Sequence, residues 1–379
     1  MTTMRIGIDA TAMPLQRTGA GNYIFNLIQA LARVDRSNEY VVFAKATHED
    51  ELGVRRSGFE FVRREFAGRG LRLAWEQVGL PRQVRKHRLD VLHSPHYTTP
   101  LRHAASSVVT FCDMTFVLHP DLHQAVKRWF FPAMMRMSAR RADRLIAISE
   151  STRDDLVRMW DVDPARIAAI PLAADSGYRP RSAEEVASAC GKYGLHPGSY
   201  ALYVGVLEPR KNVDLLVEAF GRVAAGMPGI DLVIAGRKGW MYDQIFAQVA
   251  RLGLQQRVRF TGYVPNEDLP ALYTGARLFA YPSRYEGFGL PVLEAMSCGT
   301  PVITTNVSSM PEVAGDGAVL VPPDDLDALA GALLRVSSDS ALRDTLACHG
   351  LERAKAFSWE RCARETVQQY ERAFQGKGE

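Results

Sequence analysis

The sequence has no hydrophobic run that could cross a membrane and no recognisable export signal. A membrane-spanning helix needs roughly 18 or more consecutive apolar residues, and no run within the 379 residues approaches that length. The first apolar segment, residues 4–9, is not preceded by the basic region and apolar stretch of a signal peptide. From these absences we expect a cytoplasmic protein without a spanning helix.

Cysteine is also scarce. The five cysteines are an odd number and lie far apart, at Cys112, Cys190, Cys298, Cys348 and Cys362. No two of them have the short spacing of zinc ligands, and a scattered odd set does not form a disulfide framework. We therefore expect free thiols in a reducing compartment and no structural metal.

The net charge is small but unevenly distributed. The formal net charge is +4. Residues 1–180 hold 26 Lys and Arg against 19 Asp and Glu, a net of +7, whereas residues 181–379 hold 20 against 23, a net of −3. Because the total is modest and no nucleic-acid-binding module is present, nucleic acid is not an expected partner. A basic first half can still contact an anionic surface.

The sequence does contain a regular alternation of short apolar strands and amphipathic helices. Strands are predicted at residues 5–9, 40–44, 90–93, 107–111, 144–149, 166–170, 200–206, 231–236, 258–263, 278–282, 301–305 and 318–321. The clearest helices are predicted at residues 21–33, 122–140 and 359–375. Near-continuous apolar strands that alternate with helices indicate parallel sheets covered on both faces. The two series predict two doubly wound α/β domains, joined near residues 175–199, where proline and glycine concentrate.

The richest motif, residues 281–300, places two glutamates around a short predicted helix. Pro291 fits the first turn of this helix and Gly299 fits its end. Glu286 therefore lies in the loop before the helix, and Glu294 lies about one turn inside it. A helix N-terminus binds anions, and flanking carboxylates accept hydrogen bonds from hydroxyl groups. The motif fits a sugar diphosphate joined to a ribose, and a helix cap beside a surface glutamate is the simpler alternative.

Two other loops follow predicted strands and precede helices. Arg210 and Lys211 would place fixed positive charge beside a diphosphate leaving group, unless they form only an exposed basic turn. Gly19 and Gly21 belong to a glycine loop after the first strand. This loop departs from the dinucleotide-binding fingerprint because Ile24 stands where a third glycine is required. It can still bring backbone N–H groups close to a phosphate.

Taken in order, these motifs resemble family 4 of the glycosyltransferases, which have the GT-B fold. The resemblance extends over the whole chain through residues 17–23, 93–100, 110–115, 148–151, 208–212, 235–239, 286–294 and 311–315. It implies an α/β protein of two doubly wound, Rossmann-like domains facing each other across a cleft. Residues 1–180 would bind the acceptor and residues 181–358 the nucleotide sugar. Residues 359–379 would form a helix that crosses back to the first domain.

The resemblance also implies a chemistry. A hexose would pass from a nucleotide sugar to a glycan or lipid-linked glycan acceptor, with retention of configuration, through an oxocarbenium-like state and without a metal or other cofactor. Glu294 looks like the carboxylate that binds the ribose, Glu286 like the one that contacts the donor sugar, and Arg210 and Lys211 like the diphosphate-binding pair. The other donor-binding residues implied by position are Gly19, Gly21, Arg237, Lys238, Tyr263, Val264, Gly287, Phe288, Gly289 and Leu290.

One residue departs from the family pattern at a position with an expected catalytic role. Cys112 stands directly before Asp113, where family members usually carry a histidine that touches the donor sugar. A thiol does not supply the same hydrogen bonds or charge as an imidazole. Three alternatives follow. The substitution is tolerated, or Asp113 or His119 compensates for it, or the activity is reduced.

Candidates for contacts with an acceptor or a membrane lie in the first half. His93 ends a predicted strand, His96 and Tyr97 follow it, and all three are candidate acceptor contacts. Basic and aromatic residues are mixed in residues 55–88 and 127–144. These stretches either dock on the anionic inner face of the cell membrane, where lipid-linked sugars lie, or form a solvated basic surface over an ordinary core.

The function expected from these features is hexosyl transfer in bacterial polysaccharide or lipopolysaccharide assembly, with GDP-mannose as the favoured donor on resemblance alone. A UDP-sugar is the alternative donor. A catalytically weak subunit of a glycan-assembly complex is the alternative of a different class, and an NAD-dependent dehydrogenase is disfavoured by Ile24.

Overall fold

The computed structural model describes residues 3–14, 19–119, 125–239 and 242–376. The chain divides into two compact units. Unit 1 comprises Met1–Leu172 and Ser358–Glu379, and unit 2 comprises Ala173–Phe357. Unit 2 thus begins before residue 181, the boundary expected from the sequence.

The strands of unit 1 form one parallel sheet. Within the described residues these strands are β1 (Arg5–Asp9), β2 (Glu39–Ala44), β3 (Phe59–Arg63), β4 (Val91–Ser94), β5 (Ser106–Phe111), β6 (Arg144–Ala147) and β7 (Ile167–Ala169). Their order in the sheet is β3-β2-β1-β4-β5-β6-β7, and every pair is parallel. The order reverses between β1 and β4, as in a doubly wound fold.

Helices connect these strands. In chain order they are α1 (Ala20–Val34), α2 (Ala46–Leu52), α3 (Arg69–Ala74), α4 (Leu80–Lys86), α5 (Thr115–Leu118), α6 (Ala125–Arg141) and α7 (Glu150–Trp160). A π-helical segment, Trp75–Gly79, joins α3 to α4 without a break. The predicted helix at residues 122–140 corresponds to α6, and its first residues, 122–124, lie outside the described part of the chain.

Unit 2 repeats the same plan. Its described strands are β8 (Tyr200–Val204), β9 (Asp231–Ala235), β10 (Val258–Gly262), β11 (Leu278–Tyr281), β12 (Val302–Thr305) and β13 (Ala318–Val321). They form a parallel sheet in the order β10-β9-β8-β11-β12-β13. The helices are α8 (Ala183–Lys192), α9 (Val213–Val223), α10 (Asp243–Arg251), α11 (Leu269–Gly275), α12 (Leu290–Ser297), α13 (Met310–Ala314), α14 (Leu326–Ser338) and α15 (Ser340–Ala354).

The last helix, α16 (Trp359–Gln375), returns the chain to unit 1 and packs against α1 and strands β4, β5 and β6. It buries Trp359, Cys362 and Tyr370 among other residues. The side chain of Ser358 caps the helix by accepting a hydrogen bond from the Arg361 N–H at 3.1 Å. Unit 1 is therefore built from two separate stretches of the sequence.

The predicted strands are all present, and one further strand was missed. Central strands such as β11 are buried at every residue, which is why they appear in the sequence as apolar runs. The missed strand, β3, lies at the edge of its sheet and carries the exposed Glu60 and Arg63. Within the described residues, no helix is both long and apolar enough to cross a membrane.

Candidate functional site

In unit 2 the strand order reverses between β8 and β11, and the loops that follow these two strands meet. Ligands of doubly wound sheets bind at such a reversal, beyond the carboxyl ends of the strands. Here the Arg284 N–H donates to the Arg210 carbonyl at 2.9 Å, and the Ser283 hydroxyl donates to the same oxygen at 3.2 Å. The two motifs that carry the candidate site residues are therefore neighbours in space.

Arg210 lies in a single 3₁₀ turn, Pro209–Lys211, just before α9. Its guanidinium donates from Nη2 to Glu208 Oε1 at 2.7 Å and from Nη1 to the Tyr285 carbonyl at 2.6 Å. Nη1 also lies 2.8 Å from Glu286 Oε2. These contacts fix the guanidinium between two carboxylates.

Lys211 is buried and contacts the other oxygen of the same glutamate. Its Nζ lies 2.5 Å from Glu286 Oε1 and donates to the Tyr281 hydroxyl at the same distance. Burial lowers the pKa of the Lys211 ammonium and the nearby Arg210 lowers it further, while Glu286 and Glu208 act in the opposite direction.

Glu286 is the centre of this cluster. Besides the two cations, its Oε1 accepts hydrogen bonds from the hydroxyls of Ser283 at 2.8 Å and Tyr281 at 3.0 Å. Burial alone would raise the pKa of the carboxyl, but Arg210 and Lys211 outweigh burial and lower it to about 2. Glu286 is therefore ionised throughout the physiological pH range.

The cluster carries no net charge, because two cations face the two carboxylates of Glu208 and Glu286. The structure thus places Glu286 in contact with Arg210 and Lys211. The family resemblance, in contrast, assigns Glu286 to the donor sugar and the two cations to the diphosphate. A diphosphate that binds Arg210 and Lys211 must share them with Glu286 or displace it from them.

The N-terminus of α12 lies beside this cluster. Gly289 precedes the helix with a φ of 101°, and a Cβ there would lie 2.2 Å from Met310 Cε. The N–H groups of Phe288, Gly289 and Leu290 donate to no acceptor within the described residues. Ser309 instead holds the loop through its carbonyls, donating to those of Glu286 and Phe288 at 2.9 and 2.8 Å. Unpaired N–H groups at a helix N-terminus form an anion-binding site.

Glu294 lies one turn further along α12 and differs sharply from Glu286. It is 8% exposed, and in the described part of the chain its carboxylate has one hydrogen-bond donor, the Tyr273 hydroxyl at 3.3 Å. Burial raises the pKa of the Glu294 carboxyl to about 7, with Asp175 adding to the rise and Tyr273 opposing it. A buried carboxylate with one long hydrogen bond can accept further hydrogen bonds from a ligand.

Arg237 and Lys238 follow β9 and are exposed, on the same carboxyl edge of the sheet. The Lys238 ammonium lies 4.9 Å from the ring centroid of Tyr242. The preceding Gly236 has a φ of 151°, and a Cβ on it would lie 1.8 Å from the Gly205 carbonyl oxygen. Only glycine lets the loops after β8 and β9 approach each other this closely.

Tyr263 and Val264 follow β10 at the edge of the sheet. Tyr263 is 48% exposed, whereas Val264 is buried. Gly262 turns the chain here with a φ of 70°, and its carbonyl accepts a hydrogen bond from the Gly236 N–H at 2.8 Å. An exposed ring and adjacent backbone groups are therefore available to a ligand beside the loop that carries Arg237 and Lys238.

In unit 1 the glycine loop precedes α1. Gly19 is the N-terminal capping residue of α1, with a φ of 49° and open space around it, and Gly21 is buried in the first turn. Residues 15–18 of this loop, including Arg17, lie outside the described part of the chain.

Cys112 and Asp113 follow β5. Cys112 is 7% exposed, and burial, with a smaller effect of Asp113, raises the pKa of its thiol far above the ordinary range. The Asp113 carboxylate accepts a hydrogen bond from the Thr115 N–H at 3.0 Å and another from the Thr115 hydroxyl. Cys112 is therefore a neutral thiol, which does not replace a histidine as a base or a cation.

His93 has no exposed surface, which contradicts the expected contact with an acceptor. Its Nδ1 lies 2.7 Å from the Tyr370 hydroxyl and its Nε2 lies 2.8 Å from the Thr110 hydroxyl. Burial lowers the pKa of the imidazole to about 3. Nδ1 thus connects β4 to α16 and Nε2 connects it to β5, and this part of the prediction was wrong.

His96 and Tyr97 lie beyond the end of β4. His96 is half-buried, and burial, together with the nearby Arg72, lowers the pKa of its imidazole to about 4. Tyr97 is buried with a φ of 61°, an unusual conformation for a bulky residue. The two rings lie 4.6 Å apart, so His96 presents the only partly exposed surface of this pair.

Several residues that shape the site were not singled out from the sequence. Tyr281 and Ser283 lie within the 281–300 motif but carried no separate signal. Ser308 and Ser309 follow β12, and Ser308 accepts a hydrogen bond from the Glu286 N–H at 3.0 Å. Within the described residues, no group of three or more His, Cys, Asp and Glu side chains is placed to hold a metal ion.

The chain matches two family models. Residues 17–177 match Glycosyltransferase Family 4, and residues 194–352 match Glycosyl transferases group 1. The chain is 34% identical over 369 residues to O-antigen chain mannosyltransferase B of Escherichia coli. That alignment covers 93% of this chain and 96% of the relative.

Solved structures show the same fold. Sucrose-phosphate synthase from Thermosynechococcus elongatus has a TM-score of 0.78 at 24% identity, covering 98% of this chain and 100% of the other. HepE from Anabaena, in complex with UDP and glucose, has a TM-score of 0.76 at 18% identity, covering 96% of this chain and 98% of the other. These structural similarities confirm the predicted GT-B fold and, at such identities, carry no argument about substrates.

Proposed function

Because the chain belongs to family 4 of the glycosyltransferases, we propose that it transfers mannose from GDP-mannose to a growing, lipid-linked cell-surface glycan, with retention of configuration and without a metal ion. The mannosyl part of the proposal rests on the similarity to the Escherichia coli mannosyltransferase. The donor site rests on the geometry of unit 2.

One observation carries the donor site. At the start of α12, three consecutive N–H groups have no acceptor in the described chain, and a carboxylate lies on each side of them. The two carboxylates have opposite environments. Glu286 is held by cations, whereas Glu294 is buried with a single hydrogen-bond donor. A nucleoside diphosphate sugar matches this series, with its ribose hydroxyls on Glu294, its phosphates on the N–H groups and a sugar hydroxyl near Glu286.

Arg210 and Lys211 would stabilise the leaving diphosphate. Negative charge grows on the phosphate oxygen as the glycosidic bond breaks, and fixed cations meet that charge without reorganising water. Lys211 donates to Glu286 and Tyr281, which leaves the third proton of its ammonium without an acceptor in the described chain. We assign that proton to a phosphate oxygen of the donor.

Retention follows if the acceptor hydroxyl attacks from the face that the diphosphate leaves. The sugar then passes through an oxocarbenium-like state between the two partners. A phosphate oxygen of the leaving group takes the proton of the acceptor hydroxyl, so this mechanism requires no protein base. It is compatible with a buried, neutral Cys112, whose thiol has a pKa too high to act as a base.

A panel of nucleotides tests the donor class. We expect GDP-mannose and GDP to raise the melting temperature by mass action, more than UDP, ADP and UDP-glucose do, and EDTA to leave the shift unchanged. A selective shift by UDP and UDP-glucose would replace GDP-mannose with a UDP-sugar. Loss of the shift in EDTA would contradict the metal-free proposal, and no shift by any nucleotide would favour the catalytically weak subunit.

The same panel is followed by a transfer assay, because binding alone does not establish turnover. Wild-type protein with GDP-mannose and methyl α-D-mannopyranoside should give a disaccharide product. Digestion of the product by an α-mannosidase, and its resistance to a β-mannosidase, would support retention. Formation of a product with the β-configuration would contradict retention.

We also propose that unit 1 docks on an anionic membrane. Leu71 and Val78 are 60% and 54% exposed, and Arg82, Arg85 and Lys86 of the adjoining α4 are exposed as well. Exposed apolar side chains beside basic ones favour the interface of a bilayer with acidic lipids. Such a surface would bring the enzyme to a lipid-linked acceptor.

Sedimentation with vesicles tests this docking. The protein should sediment with vesicles of phosphatidylcholine and phosphatidylglycerol, less with phosphatidylcholine alone, and less in high salt. The double variant Leu71→Ser, Val78→Ser should bind more weakly while keeping its nucleotide-dependent melting shift. Equal binding of wild type and variant would favour a solvated basic surface.

A further inference from the structure

Unit 1 contains a buried charged cluster that the donor site does not use. Asp9 is the last residue of β1, and Arg72 and Glu76 lie where α3 joins the π-helical segment. Asp9 is 4% exposed and Glu76 is 1% exposed. The cluster lies at the carboxyl ends of β1 and β4, where the strand order of this sheet reverses. Doubly wound sheets bind ligands at that position.

The contacts of Asp9 leave one carboxylate oxygen unused. The Oδ1 atom accepts hydrogen bonds from the Thr11 hydroxyl at 2.6 Å and from the Thr11 N–H at 3.0 Å. The Oδ2 atom has no donor within the described residues. Burial raises the pKa of the Asp9 carboxyl, and Arg72 and Thr11 oppose that rise. An acceptor with no protein donor is free to accept a hydrogen bond from a ligand.

Arg72 forms an ion pair with Glu76 and interacts electrostatically with Asp9. Its Nη1 donates to Glu76 Oε2 at 3.0 Å, and the same oxygen accepts a hydrogen bond from the Thr98 hydroxyl at 3.0 Å. Glu76 Oε1 accepts a hydrogen bond from the Gln77 side chain, also at 3.0 Å. The guanidinium is 16% exposed and close enough to Asp9 and His96 to shift the pKa of each. Glu76 therefore fixes the guanidinium of Arg72 at the same end of the sheet as Asp9.

The local charge indicates what the cluster binds. Arg72 faces the carboxylates of Asp9 and Glu76, and His96 is neutral because its pKa is about 4. Asp113, which interacts electrostatically with His96, adds another carboxylate. The single guanidinium is already paired with Glu76, so the described groups of the cluster offer no excess positive charge to a phosphate. A neutral ligand rich in hydroxyl groups is compatible with this charge.

We propose that Asp9 and Arg72, with Glu76 positioning Arg72, bind hydroxyl groups of the neutral sugar that accepts the transferred hexose. The inference rests on the proposed function, which requires a second substrate. Asp9 Oδ2 accepts a hydrogen bond from one hydroxyl, and the guanidinium donates to a neighbouring sugar oxygen. Glu76 touches no sugar in this arrangement and acts through the guanidinium that it holds.

The variant Asp9→Asn is the sharpest test. The Thr11 donors keep an oxygen at the Oδ1 position, so the amide places an NH₂ group where Oδ2 was. An acceptor atom becomes a donor with almost no change in volume. For transfer from GDP-mannose to methyl α-D-mannopyranoside, we expect the acceptor KM to rise about 10-fold to 100-fold. The donor KM and the melting temperature should stay at their wild-type values.

Asp35→Asn is the matched control. Asp35 is a buried carboxylate of the same unit that precedes β2, at the opposite edge of the sheet. Its oxygens accept hydrogen bonds from Ser37, Asn38 and Tyr40, so it has no free acceptor. We expect this variant to lower the melting temperature and to leave the acceptor KM unchanged. The two variants separate a binding role from a structural one.

A second probe tests the predicted neutrality of the ligand. Mannose 6-phosphate should be a poorer acceptor than methyl α-D-mannopyranoside for the wild type. Among monodeoxy derivatives of the methyl mannoside, the one that lacks the hydroxyl bound by Asp9 should be affected little by Asp9→Asn, because that contact is already lost.

The outcomes distinguish the two proposals. If GDP-mannose, GDP and the other nucleotides neither bind nor react, the proposed function fails and the acceptor inference fails with it. If the wild type transfers mannose but Asp9→Asn keeps its acceptor KM, or mannose 6-phosphate is preferred, the acceptor inference alone is overturned. A fall in melting temperature of Asp9→Asn with unchanged KM would assign Asp9 a purely structural role.

Discussion

Two glutamates eight positions apart in the 281–300 motif have opposite environments. Glu286 has two cations and two hydroxyl donors, and its pKa is lowered to about 2. Glu294 has one hydroxyl donor, and burial raises its pKa to about 7. Glu286, whose carboxylate is hydrogen-bonded by several protein donors, is held in place. Glu294, whose carboxylate has one protein donor, is available for a ligand.

Glu294 leads to a prediction about pH. Its ionised form accepts a stronger hydrogen bond than its neutral form, so the affinity for the donor should rise as the pH increases through about 7. In Glu294→Gln the affinity should fall by about 10-fold or more and lose this pH dependence. Calorimetric titration with the nucleotide sugar from acidic to alkaline pH measures both. Glu352→Gln, an exposed glutamate on α15, should behave like the wild type.

The same carboxyl affects stability with a defined sign. Because folding raises the pKa of Glu294, its protonated form favours the folded state, and the unfolding free energy falls as the pH rises from the unfolded pKa toward about 7. The ligand-free Glu294→Gln variant should lack this part of the pH dependence. Denaturant titrations of both proteins at several pH values compare them. If the substitution lowers the unfolding free energy more at acidic pH than at alkaline pH, the predicted sign is supported. The reverse result would contradict it.

Cys112 yields a prediction that separates an enzyme from a weakened subunit. The thiol is neutral and nearly buried, so it contributes little to catalysis. We expect Cys112→His to keep or raise kcat, and Cys112→Ala to stay within about tenfold of the wild type, well short of the roughly 100-fold loss typical of a missing acid–base group. Steady-state rates with GDP-mannose test both variants. A collapse of activity in both would show that the thiol is itself required.

At the scale of elements, α12 and the loop before it form the part of unit 2 on which the donor proposal depends. The loop is held by Ser308 and Ser309 from another segment, and the N–H groups of Phe288, Gly289 and Leu290 have no protein acceptor in the described chain. Gly289 is required where the loop enters the helix, because its φ of 101° lies in a region that other residues adopt only with strain. The backbone of this junction is thus part of the binding site.

Gly289→Ala tests that junction. The substitution strains the backbone and places a Cβ against the buried Met310, so we expect the unfolding free energy to fall by about 1–2 kcal/mol. Donor affinity should fall in parallel, because the N–H groups change direction. Gly331→Ala is the control, since Gly331 lies inside α14 with open space around it and should gain up to about 1 kcal/mol. Unchanged donor affinity in Gly289→Ala would show that these N–H groups do not contribute to donor binding.

At the scale of the whole molecule, unit 1 is discontinuous. Residues up to Leu172 supply its sheet, and α16 supplies a large part of one layer. The hydrogen bond between His93 and Tyr370 and the contact of Tyr23 with Trp359 connect the two stretches. Without α16, this apolar surface of the sheet and of α1 would face water.

Fragments test this arrangement. Residues 173–357 should fold alone and melt cooperatively, whereas residues 1–172 should not. Met4 and Phe374 line the same cavity, so residues 358–379 can be joined ahead of Met1 by a short linker. This permuted unit 1 should regain cooperative melting in circular dichroism. Cooperative melting of residues 1–172 alone would show that α16 is dispensable for the fold.

The strand positions and most of the candidate donor residues could be read from the sequence because the signals are local. Central strands of a parallel sheet, such as β11, are largely apolar, and proline and glycine mark where α12 begins and ends. The edge strand β3 was missed because its exposed charges break that pattern. The burial of His93 was missed because its partner, Tyr370, is supplied by a helix from the other end of the chain.

The amino-acid sequence by itself determined the fold class, the two-part organisation and the chemical types gathered at the carboxyl edges of the sheets, since these follow from periodicity and short-range motifs. Only the tertiary structure decided which side chains pair. It joins Arg210 and Lys211 to Glu286, leaves Glu294 with one donor, and pairs Arg72 with Glu76. The reason is physical, because hydrogen bonds and burial depend on distances in space, and parallel strands bring together loops that are far apart in the chain.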